Sequence, residues 1–440
     1  MRVLAELERT ICSMETEPVY FQRKWQELAL IARNLSQPTS CVVRPRTIEG
    51  LIEAKFSLAA ELKAQHALRS WQNTETCWQS AVPLRAGPFK FDYRYQRADL
   101  AVSEGPLPYG SPNRFPGAEI QQLTYTCSGM AAISAILLAA SSLGAKLLYK
   151  PGCYKETLEL ASSWVTGLQV VDPSRAGHRS DVVQGEQVLW LDVPPGSKPR
   201  SDQQDGFDRI DLIVFDTTCF NHCSGRIRRI VMWARRAKVP IILVRSHTKL
   251  DSLGIEYGRL GSAMFLSFPE VPCARAARLR EIAHNMQDLV RLLGSAALPA
   301  HFCPFVGGSE YRQLSVQRSA ALLRNGRLLA RMLVQQLGAS AVRVYPHGLF
   351  TALVPPRRWS EDEVAFAAEE LATDLSHRGF PVCHAGSFGF DFTAVEAFFD
   401  TEIDRPIMRV AIGDLPLTIC AQVANAIAGW WAQRCCLRAA

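Results

Sequence analysis

Apolar and polar positions along the chain fall into distinct regimes. In the first ninety residues, apolar side chains recur at three- and four-residue spacing over Val3 to Cys12, Tyr20 to Asn34 and Thr47 to Trp71, which predicts amphipathic helices. Between Phe89 and Gly117 the pattern turns irregular and rich in Tyr, Arg, Pro and Gly. From Leu123 onward short β-branched runs take over: Lys146 to Tyr149, Gln169 to Val171, Val188 to Leu191, Leu212 to Phe215, Ile241 to Val244 and Ala263 to Ser267. The stretches between these runs are long enough for helices, so the alternation predicts an α/β fold with a mostly parallel sheet covered on both faces. The long apolar run from Met130 to Tyr149 is interrupted by Ser134, Ser141, Ser142, Gly144 and Lys146. It reads as a buried helix followed by a strand, and no membrane span is expected. Helical periodicity returns over 274 to 296 and 315 to 337, and Val342 to Tyr345 and Leu349 to Val354 then alternate like strands of a smaller sheet. The expected division is a helical N-terminal extension over 1–90, a large α/β domain over 91–299 and a small α+β C-terminal domain over 300–440.

A chain of 440 residues is long for a single core, which agrees with that division. Its 48% hydrophobic and 21% charged content is that of an ordinary soluble globular protein. The net charge of +7 is modest, and its clearest cluster, Arg226, Arg228, Arg229, Arg235 and Arg236, lies on a helical stretch. Without interleaved aromatics the cluster reads as a solvated helix face, and no nucleic-acid partner is expected. A DNA-binding head in the first ninety residues has equally poor support; those helices are expected to pack against the large domain or a partner subunit. The thirteen cysteines are scattered, many in apolar runs, and the charged opening from Met1 to Arg9 is not a secretory signal. Reduced thiols and a cytoplasmic location are therefore expected. Cys219, His222 and Cys223 invite a zinc reading, but no second ligand pair stands at a suitable spacing, so no metal is expected.

Candidate chemistry collects at strand ends. The run Val239 to Val244 leads into Arg245, Ser246, His247, Thr248 and Lys249, which places a lysine at a strand mouth. Taken alone it is as well explained as a solvated loop residue. Ser128, Gly129 and Met130 open a helical stretch whose unpaired amides and positive dipole end suit a phosphate. Asp216 ends a fully apolar strand, where a carboxylate needs a cationic partner or a helix to cap. Tyr154 follows another strand, and Ser387-Phe388-Gly389 and Arg409 to Gly413 lie near the C-terminus.

In this order the pieces resemble the Cys/Met-metabolism family of pyridoxal-phosphate enzymes, the cystathionine synthase and lyase group within the aspartate-aminotransferase fold. The resemblance spans residues 126 to 413. It implies fold type I with a seven-stranded, mostly parallel sheet, and pyridoxal 5'-phosphate as cofactor with Lys249 as its Schiff-base lysine. By the same resemblance Ser128, Gly129, Met130, Ser246 and Thr248 surround the cofactor phosphate. Asp216 pairs with the pyridine nitrogen, and Thr218 lies near the phenolic oxygen. Tyr154 stacks on the ring and serves as acid or base, while Arg409 and Ser387 hold the substrate carboxylate. Tyr95 and Arg97 reach the phosphate of a neighbouring subunit, with Tyr109 or Arg114 as substitutes, which implies a homodimer or tetramer with shared active sites. Departures are clear as well. Asp192 to Ser197 stands where an Asn-Pro is usual, Thr217 replaces an Asn, and Leu250 to Gly258 replaces a Gly-His continuation. The expected activity is that of a lyase or replacement enzyme at C-beta or C-gamma of an amino acid, eliminating a C–S, C–O or C–halogen leaving group. Terminal-alkyne amino-acid formation is one specialised form of it. An aminotransferase using the same Lys, Asp and Arg is the alternative. A non-catalytic binding or regulatory protein is a third reading, against which the intact Lys249 argues.

Overall fold

The computed structural model describes residues 17–36, 44–74, 84–93, 100–110, 112–149, 153–171, 187–192 and 210–437. The chain divides into two compact units. A terminal unit comprises Met1–Gln65, Lys249–Glu256 and Gly308–Ala440, and a central unit comprises His66–Thr248 and Tyr257–Gly307. The expected boundaries at 90 and 299 do not coincide with these units, because the first 65 residues group with the C-terminal third. The expected helix from Val3 to Cys12 lies outside the described residues. Helices α1 (Glu17–Ala32) and α2 (Ile48–Thr74) match the other two expected in that region.

In the central unit, β1 (Leu84–Ala86), β2 (Phe89–Tyr93) and β3 (Leu100–Glu104) form an antiparallel sheet. The segment after Phe89 is thus not simply irregular. Phe89, Lys90, Phe91 and Asp92 alternate, so Phe89 and Phe91 share one face and pack on Phe302 at ring distances of 4.8 and 4.9 Å.

The second sheet of this unit has seven strands: β4 (Glu119–Thr126), β5 (Lys146–Tyr149), β6 (Gln169–Val171), β7 (Gln187–Leu191), β8 (Leu212–Asp216), β9 (Ile241–Ser246) and β10 (Gly261–Ser267). Their spatial order is β4-β10-β9-β8-β7-β5-β6. Strands β5 to β9 pair in parallel and β10 runs antiparallel to both neighbours, so the expected mostly parallel seven-stranded sheet is present. Its continuous apolar runs have a simple cause. Val188, Trp190, Leu212, Val214, Ile242 and Val244 bury on one face with α3 (Gly129–Ser141), while Leu189, Ile213, Phe215, Ile241 and Leu243 bury on the other. With both faces covered, alternation disappears. Helix α4 (Lys155–Glu159) follows β5, α5 (Gly225–Arg236) precedes β9, and α6 (Cys273–Leu292) follows β10. In α5, Ile227, Ile230, Val231 and Ala234 face the core while Arg228, Arg229 and Arg236 are exposed, the amphipathic arrangement expected of the basic cluster.

The terminal unit continues with α7 (Ser309–Leu337), β11 (Val342–Val344), β12 (Thr351–Leu353), α8 (Glu361–His377), β13 (Val382–His384), β14 (Thr393–Asp400), β15 (Arg405–Ala411) and α9 (Leu417–Leu437). Its five-stranded sheet has the order β11-β12-β15-β14-β13 and packs Met408 and Val410 against Leu371, Val423 and Trp431. No described helix is long and apolar enough to cross a membrane.

Helix α1 belongs to this unit through charge as much as through apolar contact. Arg23, Lys24, Glu27 and, from α2, Lys55 are all buried, and so are Arg318, Asp391 and Asp414. Arg23 grips Asp414 with two hydrogen bonds of 2.6 and 2.8 Å. Lys24 Nζ reaches Asp391 and Asp414 at 2.6 Å each, and Lys55 reaches Asp391 at 2.6 Å and also Glu27. Arg318 pairs with Asp391 and donates to Asp414 at 3.1 Å. The N-terminal helices were expected to pack against the large domain or a partner. Instead their buried charges find their counter-ions within the terminal unit, because a charge removed from water must be paired.

Candidate functional site

Several residues singled out in the sequence meet at one edge of the central unit's sheet. Ser128 caps α3, with its Oγ accepting from Ala131 N at 3.0 Å. The amides of Gly129 and Met130 then sit in the first helical turn, where no intrahelical acceptor exists. This helix end lies tight against the end of β9. A Cβ on Gly129 would stand 2.8 Å from Ser246 Cβ, so glycine is what permits the approach. Gly261 leaves room on the other side, where a Cβ would fall 2.2 Å from Ser128 O. On the neighbouring strand Asp216 Oδ1 accepts from Thr218 N at 2.8 Å, and Thr218 Oγ1 accepts from Ser246 N at 3.0 Å. Ser128, Gly129, Asp216, Thr218 and Ser246 therefore form one connected set. Thr248 lies two residues beyond Ser246 and is partly exposed.

Tyr154 joins the set through a residue that sequence reasoning noted only as a departure. Strand β5 feeds outward to β6, whereas β7 on its other side feeds toward β8, so the switch point of the sheet, where ligands of such folds collect, falls between β5 and β7 beyond their carboxyl ends. Tyr154, following β5, donates its backbone N–H at that switch point to Asp192 Oδ2, beyond the end of β7, at 2.5 Å. Asp192 Oδ1 accepts from Trp190 Nε1 at 2.8 Å. Burial, and then the negative charge of Asp216, push the Asp192 carboxyl up to about 7, against the lowering effect of its two N–H donors. The ordinary value is 3.8, so the folded protein keeps a proton that the unfolded chain releases. This group's contribution to stability is complete below about pH 3.8 and is lost as pH rises through about 7. Asp192→Asn, a permanent mimic of the neutral form, is expected to flatten the decline in stability between those limits. Denaturant midpoints across the pH range measure it, and an unaltered slope would show that Asp192 does not hold the proton.

Thr217 and Arg245 were also missed as structural supports. Tyr109 OH meets Thr217 Oγ1 at 2.8 Å, and buried Arg245 donates to the carbonyls of Thr217 and Phe220 at 2.8 Å each. They fix the turn that carries Asp216 and Thr218. Tyr109 is thereby committed to this turn, and Arg114 Nη2 donates to Ser224 O at 3.0 Å. Tyr95 and Arg97 lie outside the described residues.

Lys249, Ser387 and Arg409 belong to the terminal unit. Lys249 Nζ stands 4.6 Å from the centre of the Phe388 ring. Leu253 and Glu256, just beyond it, have φ of +53° and +46°, a left-handed conformation that non-glycine residues adopt at a cost of about 1 kcal/mol or more. Three contacts hold that strained segment. Tyr311 OH donates to Asp251 O at 2.8 Å, Lys63 Nζ donates to Ile255 O at 2.8 Å, and Gly254 packs under Arg318 so closely that a Cβ would fall 2.1 Å from its Nη2. Arg318 also donates to Gly389 O at 2.6 Å, tying the turn around Phe388 to the same support. Arg409 is buried on β15, with its guanidinium 4.9 Å from the Phe350 ring centre and 5.1 Å from that of Phe398. It forms an ion pair with Glu396, the residue directly opposite on β14. Ser387 Oγ is buried with no hydrogen-bond partner among the described residues.

No family model matches the chain. No curated protein matches it either. Solved structures do. The crystal structure of metB from Corynebacterium glutamicum is 14% identical, covering 83% of this chain and 97% of its own, with a TM-score of 0.49. Cystathionine gamma synthase from Xanthomonas oryzae pv. oryzae, in complex with aminoacrylate and cysteine, is 14% identical over 84% of this chain and 98% of its own, with a TM-score of 0.48.

Proposed function

We propose that this chain is a pyridoxal 5'-phosphate enzyme of fold type I that eliminates or replaces a leaving group at C-beta or C-gamma of an amino acid. One observation carries the reading: the end of α3, the hydroxyls of Ser246 and Thr218, and the Asp192–Asp216 carboxylates converge at the carboxyl edge of a parallel sheet, directly before Lys249 in sequence. The donor set fits the group. Amides at a helix start and nearby hydroxyls suit a phosphate dianion. A protonated pyridine nitrogen would answer the Asp216 charge that, after burial, raises Asp192.

When bound, the cofactor supplies an electron sink for the pair left at the substrate's alpha carbon. Lys249 holds it covalently and moves the alpha proton. Asp216 keeps the ring nitrogen protonated. Tyr154, placed by the Asp192 hydrogen bond, stacks on the ring and offers its phenol to the leaving group. Arg409 and Ser387 bind the alpha-carboxylate. Tyr95 and Arg97 complete the phosphate site of a neighbouring subunit, which makes the working form a homodimer or a tetramer of dimers.

Substrate turnover tests the reaction class. Amino acids carrying leaving groups at C-beta or C-gamma, including O-acylated homoserine, cystathionine and halogenated analogues, are supplied without any keto acid. At least one is expected to turn over many times while the cofactor's visible band recovers. A single stoichiometric conversion of the cofactor to its amino form, reversed only by added keto acid, would establish an aminotransferase instead.

A further inference from the structure

We infer that Glu396 is a built-in competitor for substrate: its carboxylate occupies at Arg409 the place that a substrate carboxylate takes, and it must swing aside for binding. The inference rests on the proposed role of Arg409 and goes beyond it. Glu396 and Arg409 face each other across the β14–β15 ladder, so their side chains project on the same side of the sheet. One Glu396 oxygen pairs with Arg409 Nη2. The other lies toward Gly386, where a Cβ would stand 3.0 Å from Oε2. Next in sequence is Ser387, whose buried Oγ has no hydrogen-bond partner among the described residues. The carboxylate thus pairs with the arginine and lies beside the turn that together were assigned to a substrate carboxylate.

Exposure shows which partner can leave. The Glu396 side chain is 17% exposed and the Arg409 side chain 7%. Phe350 and Phe398 lie against the guanidinium, which holds Arg409 in place whichever carboxylate it meets. An arriving carboxylate replaces one charge-assisted pair by another. The exchange selects for ligands that offer a full negative charge, because a neutral group cannot compensate the pair it breaks.

Calorimetric titration of the purified full-length protein with propionate, with propionamide as the neutral control, tests this. Glu396→Gln keeps the shape and removes the charge. It is expected to bind propionate at least about tenfold more tightly than the parent, roughly the discrimination carried by one charge-assisted hydrogen bond. Propionamide should gain nothing, and adding Arg409→Ala should erase the gain. Glu396→Asp retains the buried charge but draws it back by one methylene, and a smaller gain is expected. Unchanged or weaker propionate binding in both variants would make Glu396 a structural partner that positions Arg409, and would overturn the inference. Cofactor binding is measured in the same samples. Failure to bind pyridoxal phosphate alongside a tenfold gain for propionate would overturn the proposed function and leave the competitor role standing.

Discussion

Lys249→Ala is expected to abolish covalent capture of pyridoxal phosphate by borohydride and to slow turnover by a hundredfold or more. Two roles end with the one ammonium group, attachment of the cofactor and movement of the alpha proton, and loss of a general acid–base alone typically removes two to four orders of magnitude. The variant should still fold. In the terminal unit Lys249 Nζ rests on the Phe388 ring at 4.6 Å, a cation–π contact of about 0.5–2 kcal/mol. The segment behind it is held separately by Tyr311, Lys63 and Arg318. Mass spectrometry of the reduced protein gives the decisive reading. A phosphopyridoxyl label that persists in Lys249→Ala, on Lys155 beside Tyr154 or on any other lysine, would displace Lys249 from the centre of the proposal.

The sheet was legible because burial on both faces leaves continuous β-branched runs, and β5 to β10 were each found within two residues of their ends. β4 is not among the predicted runs, because its first half, Glu119 to Gln122, is mostly polar and largely exposed, with Ile120 its one apolar residue. The tight approach of Gly129 to Ser246 could be suspected from the glycine, but its partner could not, since contact between residues so far apart in sequence follows from strand order. Asp192 was visible only as a missing Asn-Pro. Its raised carboxyl comes first from burial and then from the parallel register that sets Leu191 beside Phe215, and hence Asp192 near Asp216. Glu396 sits in an ordinary alternating strand, and nothing in its local sequence distinguishes it from a solvent-facing acid. Only pairing with β15 reveals Arg409 opposite. The N-terminal helices were the largest surprise. Arg23, Lys24 and Glu27 look like the polar face of an amphipathic helix, yet they lie beside the buried Tyr20, Leu28 and Ile31. The local signal that could have exposed them is the isolated acid within an apolar run, Asp391 among phenylalanines and Asp414 after Gly413, each needing a cation that its own neighbourhood does not supply.

That buried cluster makes an asymmetric prediction about stability. Arg23, Lys24, Lys55 and Arg318 meet Glu27, Asp391 and Asp414, one cation more than carboxylates. Burial alone would raise the three carboxyls, but the surrounding cations outweigh it and hold each below its ordinary value. Lys55 is itself lowered, by burial and then by repulsion from Arg318. Removing an acid therefore strands several buried cations, whereas removing Lys55 relieves the excess. Asp391→Ala is expected to destabilise by about 3–5 kcal/mol, the usual cost of breaking a buried pair, against a total of about 5–15 kcal/mol for an ordinary domain. Lys55→Met should cost far less. Acid acts in the same direction as Asp391→Ala. With folded values depressed, the carboxylates' contribution is complete above their ordinary values of 3.8 and 4.5 and is lost as pH falls below them. The damage should also reach the proposed active lysine, since Arg318 supports Gly254 and Gly389 on either side of it. Urea midpoints for the two variants, with proteolysis to locate cleavage near 249–256, provide the comparison. Equal losses in Asp391→Ala and Lys55→Met would show that packing, not the charge excess, governs the cluster.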